Sequence, residues 1–109
     1  MEFRLYLLQR LTALVMAPLV IGHIAVMIYA VQGGLSAAEI LGRTQGSLFW
    51  GAFYGLFVLA AAIHAAIGLR TIVQEWLRLE GAALHALTCL VLFGLLALGG
   101  RAVYAVVAA

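Results

Sequence analysis

Three long stretches of this chain carry no charged side chain, and they constrain its fold more than any other feature. Residues 11–31, 44–69 and 81–100 are free of charge over 21, 26 and 20 residues. A helix needs about 20 apolar residues to cross roughly 30 Å of hydrocarbon. Because lipid offers no partner for free backbone groups, a chain this short can cross only as helices. The sequence therefore predicts three transmembrane helices.

The composition excludes a water-soluble domain. Hydrophobic residues make up 67% of the chain, charged residues only 9%, and the mean hydropathy is +1.18, whereas a soluble domain is about 25% charged. Cys89 is the only cysteine, which excludes an internal disulfide, a cysteine-ligated iron–sulfur cluster and a c-type haem attachment. The net charge of +2 comes from arginines that flank the apolar stretches, so it indicates membrane orientation rather than nucleic-acid binding.

The same pattern predicts an all-α fold: a three-transmembrane-helix bundle in which residues 1–109 form a single membrane-anchor domain. We expect spans over about residues 8–31, 45–70 and 82–106, the last one continuing past Arg101, whose side chain reaches back to the interface. Between the first two spans, Ser36 and Glu39 have the spacing of a capping box, and Gly42 can end a helix. These residues predict a short surface helix over about 36–42.

The arginines predict the orientation of the chain. With three crossings, the N-terminus and the second loop share one side, which carries four arginines against two on the other. The first group is Arg4, Arg10, Arg70 and Arg78, and the second is Arg43 and Arg101. Because Lys and Arg concentrate on the cytoplasmic side, the N-terminus is expected there. The first span has no convincing cleavage site after it, which predicts a retained helix rather than a signal peptide.

Three histidines lie within or close to the spans, and ionisable groups in such positions are candidates for function. His64 precedes Arg70 by six residues, which places it roughly 9 Å from that interface at 1.5 Å per residue. His23 follows Arg10 by 13 residues and so lies roughly 20 Å away, near the outer leaflet. His85 follows Glu80 by five residues and is expected near the inner side.

The surroundings of His64 suit a planar cofactor. Ala60, Ala61 and Gly68 lie within one turn of it, so its helix face carries small side chains on which a porphyrin could rest. A histidine in a helix bundle can serve as an axial ligand of b-type haem. The alternative is a hydrogen bond from His64 to a carbonyl of a neighbouring helix. Both interpretations apply to the other two histidines as well.

Two segments resemble the membrane-anchor, or cytochrome b, subunits of succinate dehydrogenase and fumarate reductase. Residues 9–15 read QRLTALV and are similar to the Arg-x-[Ser/Thr]-[Gly/Ala] motif with which the first span begins in that family. Residues 64–76 read HAAIGLRTIVQEW and are similar to its His-x-x-x-Gly motif followed by an acidic–aromatic pair. Together with the three-span layout, the resemblance covers nearly the whole chain.

The resemblance implies roles for particular residues. His64 matches the axial haem ligand of the family, with Gly68 one turn later. Arg10 matches an arginine near the quinone headgroup and the haem propionates, and Thr12 matches the small hydroxyl residue beside that arginine.

Glu75 and Trp76 stand where the family often has Asp–Tyr, whose phenol binds a quinone carbonyl. Trp76 is a departure from the family pattern, because an indole N–H donates a hydrogen bond but cannot accept one or exchange a proton as a phenol can.

A second membrane chain is also expected. His23 has no partner of similar depth in this chain, and His64 and His85 lie on consecutive helices with little room between them. A copy or paralogue related by a two-fold axis along the membrane normal would return each histidine at its own depth. We therefore expect an inner haem iron between His64 and its counterpart and an outer one between His23 and its counterpart. This arrangement resembles the five-helix anchors of the family.

The function implied is that of a membrane anchor in a bacterial cytoplasmic membrane. It would bind haem b and quinone, while FAD and iron–sulfur clusters would lie in separate flavoprotein and iron–sulfur subunits on the cytoplasmic face. The chain itself would hold no dicarboxylate site. The alternatives are the anchor of a different flavin/iron–sulfur oxidoreductase, a purely structural anchor without haem, and a small dimeric transporter. The transporter is disfavoured because all four Glu flank the spans, which leaves no carboxylate inside to couple ions.

Overall fold

The computed structural model describes residues 2–108, and helices are the only regular elements in this part of the chain. They are α1 (Phe3–Gly33), α2 (Ala37–Thr44), α3 (Leu48–Trp76) and α4 (Gly81–Val107). The helices α1, α3 and α4 are each long and apolar enough to cross a membrane. The predicted all-α architecture with three membrane-crossing helices is confirmed.

The long helices continue beyond the spans that the charge pattern marks. The second span was expected to end near residue 70, but α3 continues to Trp76, and α1 already begins at Phe3. The chain extends over 47 Å in its longest dimension, which exceeds the roughly 30 Å of a hydrocarbon core. A charge-free window marks only the part of a helix that lipid covers, because a helix that emerges into water tolerates charged side chains.

The helix α3 lies at the centre of the bundle and packs against both α1 and α4. On the α1 side, Thr12 contacts His64 and Gly22 lies against Phe53. Residue numbers rise along α1 as they fall along α3, so the two helices are antiparallel. We call the end where α1 begins, α3 ends and α4 begins the N-terminal end, and the opposite end the α2 end.

Small residues allow α3 and α4 to pack closely. Ala62 and Ala66 of α3 are each only 2% exposed. On α4, Gly99 lies so close to the Val58 side chain that a β-carbon at this position would overlap it. Helices in lipid lack a hydrophobic drive to associate and depend on this kind of close van der Waals packing.

Serine caps begin two of the helices. The Ser36 hydroxyl accepts a hydrogen bond from the Glu39 backbone N–H at 3.2 Å and donates one to the Glu39 carboxylate at 2.7 Å. The Ser47 hydroxyl accepts from the Trp50 N–H at 3.2 Å. Each cap satisfies one of the backbone donors that a helix leaves free in its first turn.

The sequence predicted that α2 ends at Gly42, but the helix continues to Thr44. Thr44 is 6% exposed, and its hydroxyl donates to the carbonyl of Val106 at the end of α4. The Gly46 N–H donates to the next carbonyl, that of Val107, at 2.7 Å. These bonds occupy carbonyls that α4 would otherwise leave free, so docking onto α4 determines where α2 ends.

The packing at Gly99 leads to a stability prediction. Gly99→Ala should lower the free energy of unfolding by about 1–3 kcal/mol, the usual range for overpacking, because the stiff, β-branched Val58 cannot easily move aside. Gly100→Ala is the matched control, since no atom lies within 4 Å of a β-carbon there. Denaturant unfolding in mild detergent measures both variants. In the double variant, Val58→Ala removes the overlapping side chain, so adding Gly99→Ala should cost little stability beyond that of Val58→Ala alone. If the two losses of stability simply add, the proposed overlap is contradicted.

Candidate functional site

The three histidines have different surroundings. His64 is half-buried on the face of α3 that meets α1, whereas His85 is exposed near the start of α4. The ring of His23 lies edge-on to Phe57, with 4.9 Å between ring centroids, and 6.3 Å from the Tyr54 ring. His23 is therefore packed against α3 of its own chain.

A hydrogen-bonded pair joins α1 to α3. The Thr12 hydroxyl lies 2.9 Å from the Gln9 carbonyl oxygen and 3.2 Å from Nδ1 of His64, and Thr12 is only 6% exposed. A hydroxyl has one proton, and a carbonyl can only accept. Both contacts are hydrogen bonds at once when Thr12 donates to Gln9 and His64 Nδ1–H donates to Thr12. In this arrangement Nε2 of His64 keeps a free lone pair. We refer to these two residues as the Thr12–His64 pair.

Gly68 lies beside this pair, one turn beyond His64. A β-carbon at Gly68 would come within 3.4 Å of the Gln9 side-chain nitrogen. Ala60, one turn before His64, is 4% exposed. Gly68 thus borders Gln9 of α1, and the missing side chain brings α1 close to α3 at the level of the pair.

Gln9 was not selected as a site residue from the sequence. Its side-chain oxygen Oε1 is buried and has no hydrogen-bond partner among residues 2–108. A buried acceptor without a partner costs free energy, so this amide lowers the stability of the isolated chain. The signal in the sequence was an uncharged polar residue immediately before Arg10, within the motif that carries the family resemblance.

Arg10 lies on the other side of α1. Arg10 precedes the buried Thr12 by two residues, which corresponds to a rotation of about 200° around the helix axis. Its side chain is exposed. The Arg10 guanidinium lies 5.7 Å from the ring centroid of Tyr6, within cation–π range. Together with three leucines, Tyr6 and Arg10 form a shallow, open depression on the exposed side of α1 alone, which we call the Arg10 groove. Its lining residues are Tyr6, Leu7, Arg10, Leu11 and Leu14.

The acidic–aromatic pair at the end of α3 is not part of this groove. Trp76 is 81% exposed and Glu75 is exposed as well. Neither of them lines the Arg10 groove. Arg10 and Trp76 therefore do not line the same groove.

The α2 end contains a separate cavity of about 300 Å³ between all four helices. His23, Thr44 and Tyr54 supply its polar groups, and valines and other apolar residues line the rest. Within residues 2–108, no three His, Cys, Asp or Glu side chains cluster as a metal site.

This geometry defines a multi-pass membrane protein with a half-buried imidazole at a helix interface. The family model described as "Succinate dehydrogenase/Fumarate reductase transmembrane subunit" matches residues 2–100. The chain belongs to this family and is thus a membrane subunit of an oxidoreductase complex. Comparisons with curated proteins and with solved structures found no match.

The unpartnered amide of Gln9 leads to a second prediction. Gln9→Met should raise the free energy of unfolding of the isolated chain by about 1 kcal/mol, because it removes a buried acceptor without a partner and keeps the side-chain length. Gln32→Met, at an exposed position of the same helix, is the control and should have little effect. Both are measured by denaturant unfolding in mild detergent. A loss of stability in Gln9→Met alone would mean that the amide has a partner after all.

Proposed function

We propose that this chain anchors a succinate dehydrogenase or fumarate reductase in a bacterial cytoplasmic membrane, binds haem b through His64 and contributes Arg10 to a quinone site. The Thr12–His64 pair carries the proposal, because it leaves Nε2 of a half-buried imidazole free. Membership of the family supports the kind of complex. In this proposal the flavoprotein and iron–sulfur subunits, with their FAD and clusters, dock at the N-terminal end on the cytoplasmic face.

The donor set around His64 fits a haem. A neutral imidazole binds iron through one nitrogen, while the other nitrogen donates to an acceptor that fixes the ring. Thr12 provides this acceptor at 3.2 Å. A haem held by Nε2 would supply a one-electron carrier between the iron–sulfur subunit and quinone. Gly68 serves the site indirectly, by allowing α1 and therefore Thr12 to lie close to α3.

The second axial ligand belongs to another membrane chain in this proposal. His85 is exposed and on a different helix, so a copy or paralogue would supply the imidazole opposite His64. We propose His23 as the ligand of a second haem near the α2 end. Its contact with Phe57 favours a packing role, and the experiment below decides between the two.

The Arg10 groove fits the headgroup of a quinone. The guanidinium donates hydrogen bonds to a carbonyl oxygen, and these bonds strengthen as that oxygen gains negative charge. Tyr6 offers an aromatic surface and a phenol that can both donate and accept. Trp76, the exposed residue proposed from the family pattern, has only an N–H donor. Together with Glu75, it would reach the headgroup only in the assembled complex.

The haem assignment is tested by substituting His64. His64→Ala should abolish the haem that this residue holds, measured as haem per membrane chain in the complex purified in mild detergent. His85→Ala is the matched control, because it removes an exposed histidine from the same end and should leave the ratio unchanged. An unchanged ratio in His64→Ala would overturn the assignment. His23→Ala should delete only a second haem; no change there leaves His23 as a packing residue.

The quinone assignment is tested by substituting Arg10. Loss of one charge-assisted hydrogen bond costs about 1.5–3 kcal/mol, so Arg10→Ala should slow quinone reduction by roughly ten-fold or more. Electron transfer from the dicarboxylate to a soluble dye should persist, because it bypasses the membrane chain. Arg4→Ala, another exposed arginine of the same helix, controls for surface charge. Unchanged quinone reduction in Arg10→Ala would overturn the assignment, whereas equal loss of both activities would indicate misassembly.

A further inference from the structure

Among residues 2–108, the Thr12 hydroxyl is the one threonine hydroxyl that contacts a histidine. Thr44, Thr71 and Thr88 each donate to the carbonyl four residues back, at 3.0, 3.0 and 2.8 Å, and Thr44 donates to the Val106 carbonyl of another helix as well. Thr12 makes a similar bond to Gln9, three residues back, at 2.9 Å and also contacts His64 of another helix. The 2.9 Å contact favours donation of the hydroxyl proton to the Gln9 carbonyl, and with the proton there the Thr12 oxygen meets Nδ1 as an acceptor.

From this chain of bonds we infer that Thr12 is a positioning residue that holds His64 as the Nδ1–H tautomer and strengthens Nε2 as a ligand. The bonds run from His64 Nδ1–H to the Thr12 oxygen and from the Thr12 O–H to the Gln9 carbonyl. Successive hydrogen bonds of this kind polarise one another. Donation from Nδ1 makes Nε2 a stronger electron donor to a metal, and a tautomer with its proton on Nε2 could not bind a metal there.

The consequence for haem rests on the proposed function of His64. A more strongly electron-donating imidazole stabilises ferric over ferrous iron, and hydrogen bonding to an axial ligand is one of the ways in which a protein adjusts a haem potential. Removing the Thr12 oxygen should therefore raise the haem midpoint potential and weaken haem binding. Loss of such a supporting group typically lowers metal affinity by about 10- to 100-fold.

The first measurement uses the full chain without haem in detergent micelles. With ¹⁵N-labelled histidine, the ring nitrogen shifts report which nitrogen carries the proton, and a His64→Asn sample assigns the signals of His64. We expect the Nδ1–H tautomer in the wild-type chain and in Thr12→Ser, and a mixture of tautomers in Thr12→Val. An Nε2–H tautomer in the wild-type chain would overturn the inference. This measurement does not depend on whether His64 binds haem.

The second measurement uses the assembled complex. Thr12→Val should raise the midpoint potential of the haem that His64→Ala deletes and should lower haem affinity, measured by transfer to apomyoglobin, by about ten-fold or more. Thr12→Ser should restore both values, and Thr88→Val is the control for loss of a hydroxyl that contacts no histidine. If Thr12→Val impairs assembly, Thr12→Ala replaces it as the variant without a hydroxyl and is compared with Thr12→Ser, which keeps the hydroxyl.

The two measurements separate the possible failures. A wild-type potential and affinity in a folded Thr12→Val or Thr12→Ala complex would overturn the tuning role, even with the Nδ1–H tautomer confirmed. If His64→Ala retains all haem, the proposed function fails and the consequence for haem fails with it. The tautomer result would then describe a histidine that serves only to join α1 to α3.

Discussion

Close packing of α1 and α4 onto the small residues of α3 is the interaction on which the rest of this structure depends. Lipid is as apolar as leucine, so apolar surface alone cannot hold these helices together. Contact is made where side chains are missing or small, as at Gly99 against Val58 and at Gly22 against Phe53. The same contacts set the antiparallel register, and this register brings Thr12 to His64.

The polar groups of the bundle are divided between its two ends. At the α2 end, Thr44 and Gly46 satisfy the last carbonyls of α4, and the Arg43 guanidinium donates to the Gly34 carbonyl at 2.7 Å. These bonds close the fold. At the N-terminal end, the Thr12–His64 pair leaves an imidazole nitrogen free and the Arg10 groove holds an exposed cation. Unused ligand or hydrogen-bonding capacity therefore occurs at both ends: in His64 and Arg10 at the N-terminal end, and in His23 and Tyr54 of the cavity at the α2 end.

Sequence patterns anticipated some elements and missed others for identifiable reasons. The charge-free windows located three helices, and the Ser36–Glu39 spacing located the start of α2. The windows did not locate the end of α3, because charged residues beyond the hydrocarbon do not interrupt a helix. Gly42 did not end α2, because a glycine permits a helix end without requiring one, and the docking of Thr44 on α4 favours continuation.

The sequence by itself determined that this chain crosses a membrane three times as helices, since lipid leaves a charge-free stretch of this length no other stable conformation. Its motifs also identified the family. The tertiary structure alone decided which residues meet. Thr12 and Arg10 are neighbours in one motif, yet one faces His64 and the other faces away into its own groove. The helical period places the two side chains on opposite sides of α1. The register between α1 and α3 then brings His64, 52 residues away in sequence, to Thr12 and not to Arg10.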